Sequence, residues 1–181
     1  MKQWFALSAI GRNRPGIVAD LSELIYECDC NLEDSSMTVL GSEFAVLLLL
    51  SGQGDETGER LSTACKRLEW EKRLTVFFRP LECDPAATPQ LLGIKRYRLQ
   101  ATGLDKAGIV ARTSRCLADL GINIRQMDTQ SCPEPESGSM VYTMNIEMEA
   151  PADVDETSLR ERLDAIGREL YIDLSLEDAP S

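Results

Sequence analysis

The chain repeats itself, and the repeat limits the possible folds more than any other feature. Shifted by 92 residues, Ile10 to Leu32 falls on Thr102 to Ile124 with seven of 23 positions identical, where unrelated segments share about one or two. Gly11 meets Gly103, Gly16-Ile17-Val18-Ala19 meets Gly108-Ile109-Val110-Ala111, and Asn31 meets Asn123. Farther on the register slips by six, so that Phe44-Ala45-Val46-Leu47 falls on Tyr142-Thr143-Met144-Asn145, and the loop Cys132-Pro133-Glu134-Pro135-Glu136-Ser137-Gly138 absorbs the slip. Two halves that share a pattern must share a fold, and at 181 residues each half is long enough for a modest core.

Within a half the apolar periods alternate between two and 3.6. Trp4 to Ile10 predicts a strand; Ile17, Val18, Leu21, Leu24, Ile25 and Cys28 then recur on one helical face. The second half repeats that stripe with Ile109, Val110, Cys116, Leu117 and Leu120. Strands follow over Leu32 to Leu40 and Phe44 to Leu50, joined at Gly41-Ser42 as a hairpin. A helix over Glu56 to Glu71 turns Leu61, Ala64, Cys65 and Leu68 inward, and Leu74 to Phe78 closes the unit. The second half ends alike, with Leu159, Leu163, Ile166 and Leu170 on a helix and Tyr171 to Leu176 on a strand. The expected class is α+β, two ferredoxin-like βαββαβ domains, each an antiparallel four-stranded sheet with two helices on one face. The expected domains are residues 1–79 and 94–181, joined by a stiff linker, 80–93, that holds Pro80, Pro85 and Pro89. Each sheet has a face or edge only partly covered, so pairing of domains or chains is expected.

Charge and composition remove whole classes of function. The formal net charge is −11, whereas binding to a phosphate backbone needs clustered Lys and Arg; direct nucleic-acid binding is not expected. With no histidine in the chain, the usual imidazole base and the commonest metal ligand are missing, and no cofactor is called for. No apolar run approaches membrane-spanning length, and no basic segment leads into one, so a cytoplasmic protein is expected. The six cysteines form no Cys-x-x-Cys pair and are expected as free thiols, Cys65 and Cys116 as small buried hydrophobes. Glu147 and Glu149, alternating with Met144, Ile146 and Met148, read as a solvated sheet face. Gly52-Gln53-Gly54-Asp55-Glu56-Thr57-Gly58 imitates a dinucleotide loop but puts two carboxylates where a pyrophosphate would lie.

The most informative segment is Gly11-Arg12-Asn13-Arg14-Pro15-Gly16-Ile17, between the first strand and first helix, with its echo Gly103-Leu104-Asp105-Lys106-Ala107-Gly108-Ile109. Asn or Asp and Pro near a helix start are ordinary capping chemistry. The paired glycines add something: they let backbone amides approach a ligand at a helix N-terminus, where partial positive charge suits a carboxylate. Asn13 offers a donor and an acceptor, and Asp105 suits an ammonium group; a free amino acid carries both groups. Asn31 and Asn123 are also natural turn residues between a helix and a strand.

The pattern Gly-x-Asn/Asp-x-Pro/Ala-Gly-Ile-Val, followed by Cys30-Asn31-Leu32 or Ile122-Asn123-Ile124, resembles the ACT domain, a ligand-sensing module of amino-acid-controlled enzymes and regulators. Asp29-Cys30-Asn31-Leu32-Glu33-Asp34-Ser35, Leu40-Gly41-Ser42-Glu43-Phe44 and Leu49-Leu50-Ser51-Gly52 further resemble the glycine cleavage system transcriptional repressor family. The resemblance implies a non-catalytic regulator that senses a small amino acid, glycine or serine, and acts on transcription through a protein partner such as a DNA-binding activator. The alternative is an adaptor or allosteric subunit that binds its partner without a small ligand. In serine-binding ACT domains, such as those of phosphoglycerate dehydrogenase, the ligand sits between paired domains. It is held by a loop Asn and by an Asn at the neighbour's second strand. The matching residues are Asn13 and Asn31 in the first half and Asp105 and Asn123 in the second, with Gly11, Arg14, Pro15, Gly16, Ile17, Gly108 and Ile109 forming the loops. Gly11 stands where that enzyme family has a histidine, and Ala107 replaces the proline.

Overall fold

In the computed structural model, which describes residues 2–85, 93–134 and 138–179, the chain divides into two compact units, Met1–Pro89 and Gln90–Ser181. The first unit runs β1 (Lys2–Arg12), α1 (Ile17–Glu27), β2 (Cys30–Leu40), β3 (Glu43–Gln53), α2 (Thr57–Lys72) and β4 (Thr75–Leu81). The second runs β5 (Lys95–Leu104), α3 (Ile109–Asp119), β6 (Asn123–Pro133), β7 (Met140–Ala150), α4 (Glu156–Leu170) and β8 (Ile172–Asp178). Strand orders are β2-β3-β1-β4 and β6-β7-β5-β8, antiparallel throughout. This is the α+β, twofold βαββαβ arrangement expected from the periodicities.

The registers confirm the self-alignment residue by residue. Gly11 pairs with Phe44 and Gly103 with Tyr142, so the six-residue slip lies beyond the first two elements. Both second strands also carry the same bulge, which skips Glu33 in β2 and Arg125 in β6. Each extra residue is free to turn its side chain away from the regular alternation.

One face of each sheet packs on the helices. Phe5, Leu7 and Ala9 of β1 alternate inward with Phe44, Val46, Leu48 and Leu50 of β3 and meet Ile17, Leu21, Leu24 and Ile25 of α1 and Leu61, Cys65 and Leu68 of α2. In the second unit Tyr97, Leu99 and Ala101 join Met144, Ile146 and Met148 under Ile109, Leu117, Leu159 and Leu163. Val18 departs from the expected stripe: it is 49% exposed, because the face set by Ile17, Leu21 and Leu24 turns it to the flank. Tyr171, expected to begin the last strand, instead ends α4 in the left-handed region (φ 58°).

The elements outrun their apolar patterns, since backbone pairing continues into polar residues. The strand β4 extends through Pro80 and Leu81, which the sequence had placed in the linker. As a sheet-edge strand it can hold a residue with no amide hydrogen. Residues 86–92, including Pro89, lie outside the described residues, as do 135–137 of the acidic loop. Among the described residues no helix is long and apolar enough to cross a membrane.

Candidate functional site

Gly11 and Gly16 prove to have different jobs. A Cβ on Gly11 would lie 2.5 Å from Leu74 Cδ2, and one on Gly103 would lie 2.7 Å from Ile172 Cγ2 and 3.1 Å from Ile172 Cα. These two glycines therefore let neighbouring strands close over the core. Gly16 (φ 85°) and Gly108 (φ 100°) occupy the left-handed region at the N-caps of α1 and α3, where a side chain is strained. Having no side chains, they leave the first amides of each helix facing outward, where the helix dipole favours an anion. Ile17 and Ile109, the first helical residues, are buried and anchor the loops to the two cores.

Around α1 the first-unit loop is held from both sides. The Asn13 amide donates to the Ser42 carbonyl of the β2–β3 hairpin at 2.8 Å, while the Asn13 side chain lies at the surface. The Arg14 guanidinium pairs with Asp20 in the first turn of α1, and Lys72 reaches the other Asp20 oxygen at 3.0 Å. Those two cations, Arg14 foremost, hold the Asp20 carboxyl below its ordinary value. Pro15 completes the loop, and its carbonyl accepts a further bond from Arg14 at 3.3 Å.

The second-unit loop has the same backbone and different chemistry. The Asp105 amide donates to the Met140 carbonyl at 3.0 Å, as Asn13 does to Ser42, but its carboxylate accepts a bond from Ser131 Oγ at 2.8 Å. Lys106, at the position of Arg14, lies over the Tyr171 ring, 4.6 Å from its centroid.

The second pair of asparagines lies elsewhere. Asn31 pairs with Ser51 at the far end of β3 from Ser42, and Asn123 pairs with Glu149 at the far end of β7 from Met140. Nine residues of strand separate the two ends, about 30 Å, so no single amino acid spans Asn13 and Asn31 within one unit. At Asn31 the bulged Glu33 accepts from Ser51 Oγ, Lys2 and Asn31, and these bonds, Ser51's foremost, bring its carboxyl down to about 2. The second unit inverts the polarity: Glu149 takes the position of Ser51 and pairs with Arg125 and Arg96, each at 3.2 Å. Glu33, Ser51, Asp20 and Ser42 were not singled out from the sequence. The bulge and the cross-strand partners that place Glu33, Ser51 and Ser42 are properties of register, and a single strand carries no mark of its partner; Asp20 lies one helical turn into α1, close in sequence to Arg14.

Residues 3–79 match the ACT domain family. The chain therefore carries an ACT domain in its first unit. It is a tandem ACT-domain protein that resembles the glycine cleavage system transcriptional repressor of Escherichia coli (strain K12), with 26% identity over 93% of this chain and 86% of that one. A crystal structure of an unknown protein from Galdieria sulphuraria superposes with a TM-score of 0.83 at 26% identity, covering 99% of this chain and 100% of the other. A second solved structure, described as a putative glycine cleavage system transcriptional repressor, shares the fold with a TM-score of 0.75 at 21% identity over 100% and 99% of the two chains.

Proposed function

We propose that this tandem ACT protein is a non-catalytic regulator that senses a small amino acid, glycine or serine, and passes its occupancy to a protein partner. By likeness to the glycine cleavage system repressor, the process controlled is transcription of glycine and one-carbon metabolism. The partner supplies the DNA contact, since a chain of net charge −11 repels a phosphate backbone. The observation that carries the reading is the first-unit loop. There a glycine N-cap with no side-chain cap bond, the surface side chain of Asn13 and Arg14, which already pairs with Asp20, follow one another at the start of α1. The amides suit a carboxylate and the Asn13 carbonyl suits an ammonium group, while Arg14 would reach a ligand only by leaving Asp20.

The second-unit loop is the altered copy, because Ser131 already engages Asp105. The 30 Å between Asn13 and Asn31 means that a site using both residue types takes its β2 start from outside the unit. Isothermal titration with the twenty amino acids, repeated on Asn13→Ala and Asp105→Ala, tests the proposal. The expected result is binding of glycine or serine that Asn13→Ala weakens at least about tenfold and Asp105→Ala leaves within about twofold; silence from every amino acid sinks the sensing claim. One observation favours the adaptor reading: the Asn31 amide is already committed to Glu33. An adaptor would bind its partner equally well with and without glycine in a pull-down.

A further inference from the structure

The sheet faces turned away from the helices differ between the two units at every apolar position. In the first unit Ala6, Ile10, Ala45, Leu47, Leu49 and Phe77 form one patch, joined by the register Leu47–Ser8–Phe77, Ala45–Ile10 and Leu49–Ala6. Ile10 is 52%, Leu47 57% and Phe77 69% exposed. The equivalent positions of the second unit, from the matching registers, are Arg98, Thr102, Thr143, Asn145, Glu147 and Ser175. There Arg98 pairs with Glu147 at 3.1 Å. The same fold therefore works with these six positions polar, the second face keeping apolar residues at its end, Leu104 and Val141, and the apolar patch of the first unit answers to something other than folding.

We infer that this face packs against the same face of a second copy of the chain. Three features of the patch select that occupant. First, Asp34, Leu49, Ala6 and Arg79 lie in one row across β2, β3, β1 and β4, acidic at one end, apolar between, basic at the other. A twofold axis parallel to the strands lays β2 of one copy over β4 of the other, which puts Asp34 opposite Arg79 at both ends of the contact. Such self-complementarity is what an isologous interface requires. Second, the patch between those ends is uncharged, so two chains of net charge −11 can meet there without opposing like charges. Third, four strands about 4.8 Å apart and seven residues of about 3.3 Å outline roughly 450 Å² per copy. Two such faces approach the ~1,000 Å² at which specific interfaces begin, which fits a dimer of micromolar affinity. The contact deepens the oligomer expected of an ACT protein by assigning it to a sheet face instead of the free edge of β2.

Sedimentation equilibrium of the full chain over about 1–300 µM tests this, that range bracketing a micromolar dissociation constant. The wild type is expected to dimerise reversibly. Leu47→Glu should weaken the dimer by more than about tenfold, and Asn145→Glu, at the equivalent site of the second unit, should leave it unchanged. Arg79→Asp and Asp34→Arg should each weaken it several-fold, and the double variant should recover most of the loss, a rescue that general damage to the fold cannot produce. A monomer throughout the range, a dimer indifferent to Leu47→Glu, or a double charge swap no better than the single variants overturns the assignment. Amino-acid titration of Leu47→Glu reads the ligand site separately, so failure of one proposal leaves the other standing.

Discussion

Gly11 and Gly103 show how one residue type at one aligned position carries different costs. A methyl group on Gly11 meets first the mobile end of the Leu74 side chain, whereas on Gly103 it meets Ile172 at its Cα and Cβ as well as Cγ2. Overpacking costs more where backbone must yield. Gly103→Ala is therefore expected to lose about 2–3 kcal/mol in urea denaturation and Gly11→Ala about 1 kcal/mol; equal losses would show that Leu74 is as rigid as the Ile172 backbone. Thr113 supplies a contrasting case. It stands in the second unit where the first has Leu21, fully buried, with its hydroxyl unpartnered. A buried donor without an acceptor is costly, so Thr113→Val is expected to stabilise the chain by about 1 kcal/mol. A loss of stability would mean that the hydroxyl has found a partner in solution.

At the level of elements, the bulge in β2 sets the electrostatics at one end of the first sheet. Because Glu33 falls out of register it reaches Ser51, Lys2 and Asn31, and its carboxyl drops from an ordinary 4.5 to about 2. A carboxyl whose folded value is depressed contributes stability that is complete above its unfolded value and drains away as the pH falls through the folded one. Thermal melts of the wild type and Glu33→Gln are expected to differ most at and above about pH 5 and to converge as the pH falls towards about 2. Curves that stay parallel over that range would show that Glu33 contributes no linkage. The bulge itself was invisible beforehand, because Asn31-Leu32-Glu33-Asp34 reads as an ordinary strand start until its partner is laid beside it.

For the molecule as a whole, the six thiols report how far the two cores close. Cys83 and Cys132 are exposed, while Cys28, Cys65 and Cys116 are buried. Burial pushes the half-buried Cys30 up to about 11 and Cys65 up to about 12. Since the thiolate is the reactive form, a thiol-specific reagent at about pH 8 is expected to modify Cys83 and Cys132 in a fast phase and the rest only on unfolding, read by mass spectrometry of the digested chain. Fast labelling of Cys30 would mean that the start of β2 opens in solution.

The sequence alone determined the twofold repeat, the order of elements and the helix-facing cores, because these rest on local periods of 2 and 3.6 residues that each segment carries by itself. It also located the two loops, since a glycine in the left-handed region before Ile17 or Ile109 is a local backbone demand. The tertiary structure decided everything that depends on a partner strand. It showed that Gly11 is a packing glycine, that Asn31 lies about 30 Å from Asn13, that Ser131 engages Asp105, and that six scattered apolar residues form one patch in the first unit whose counterparts in the second are polar. Strand alternation states which residues share a face, but only the pairing register places a residue of one strand beside a residue of another.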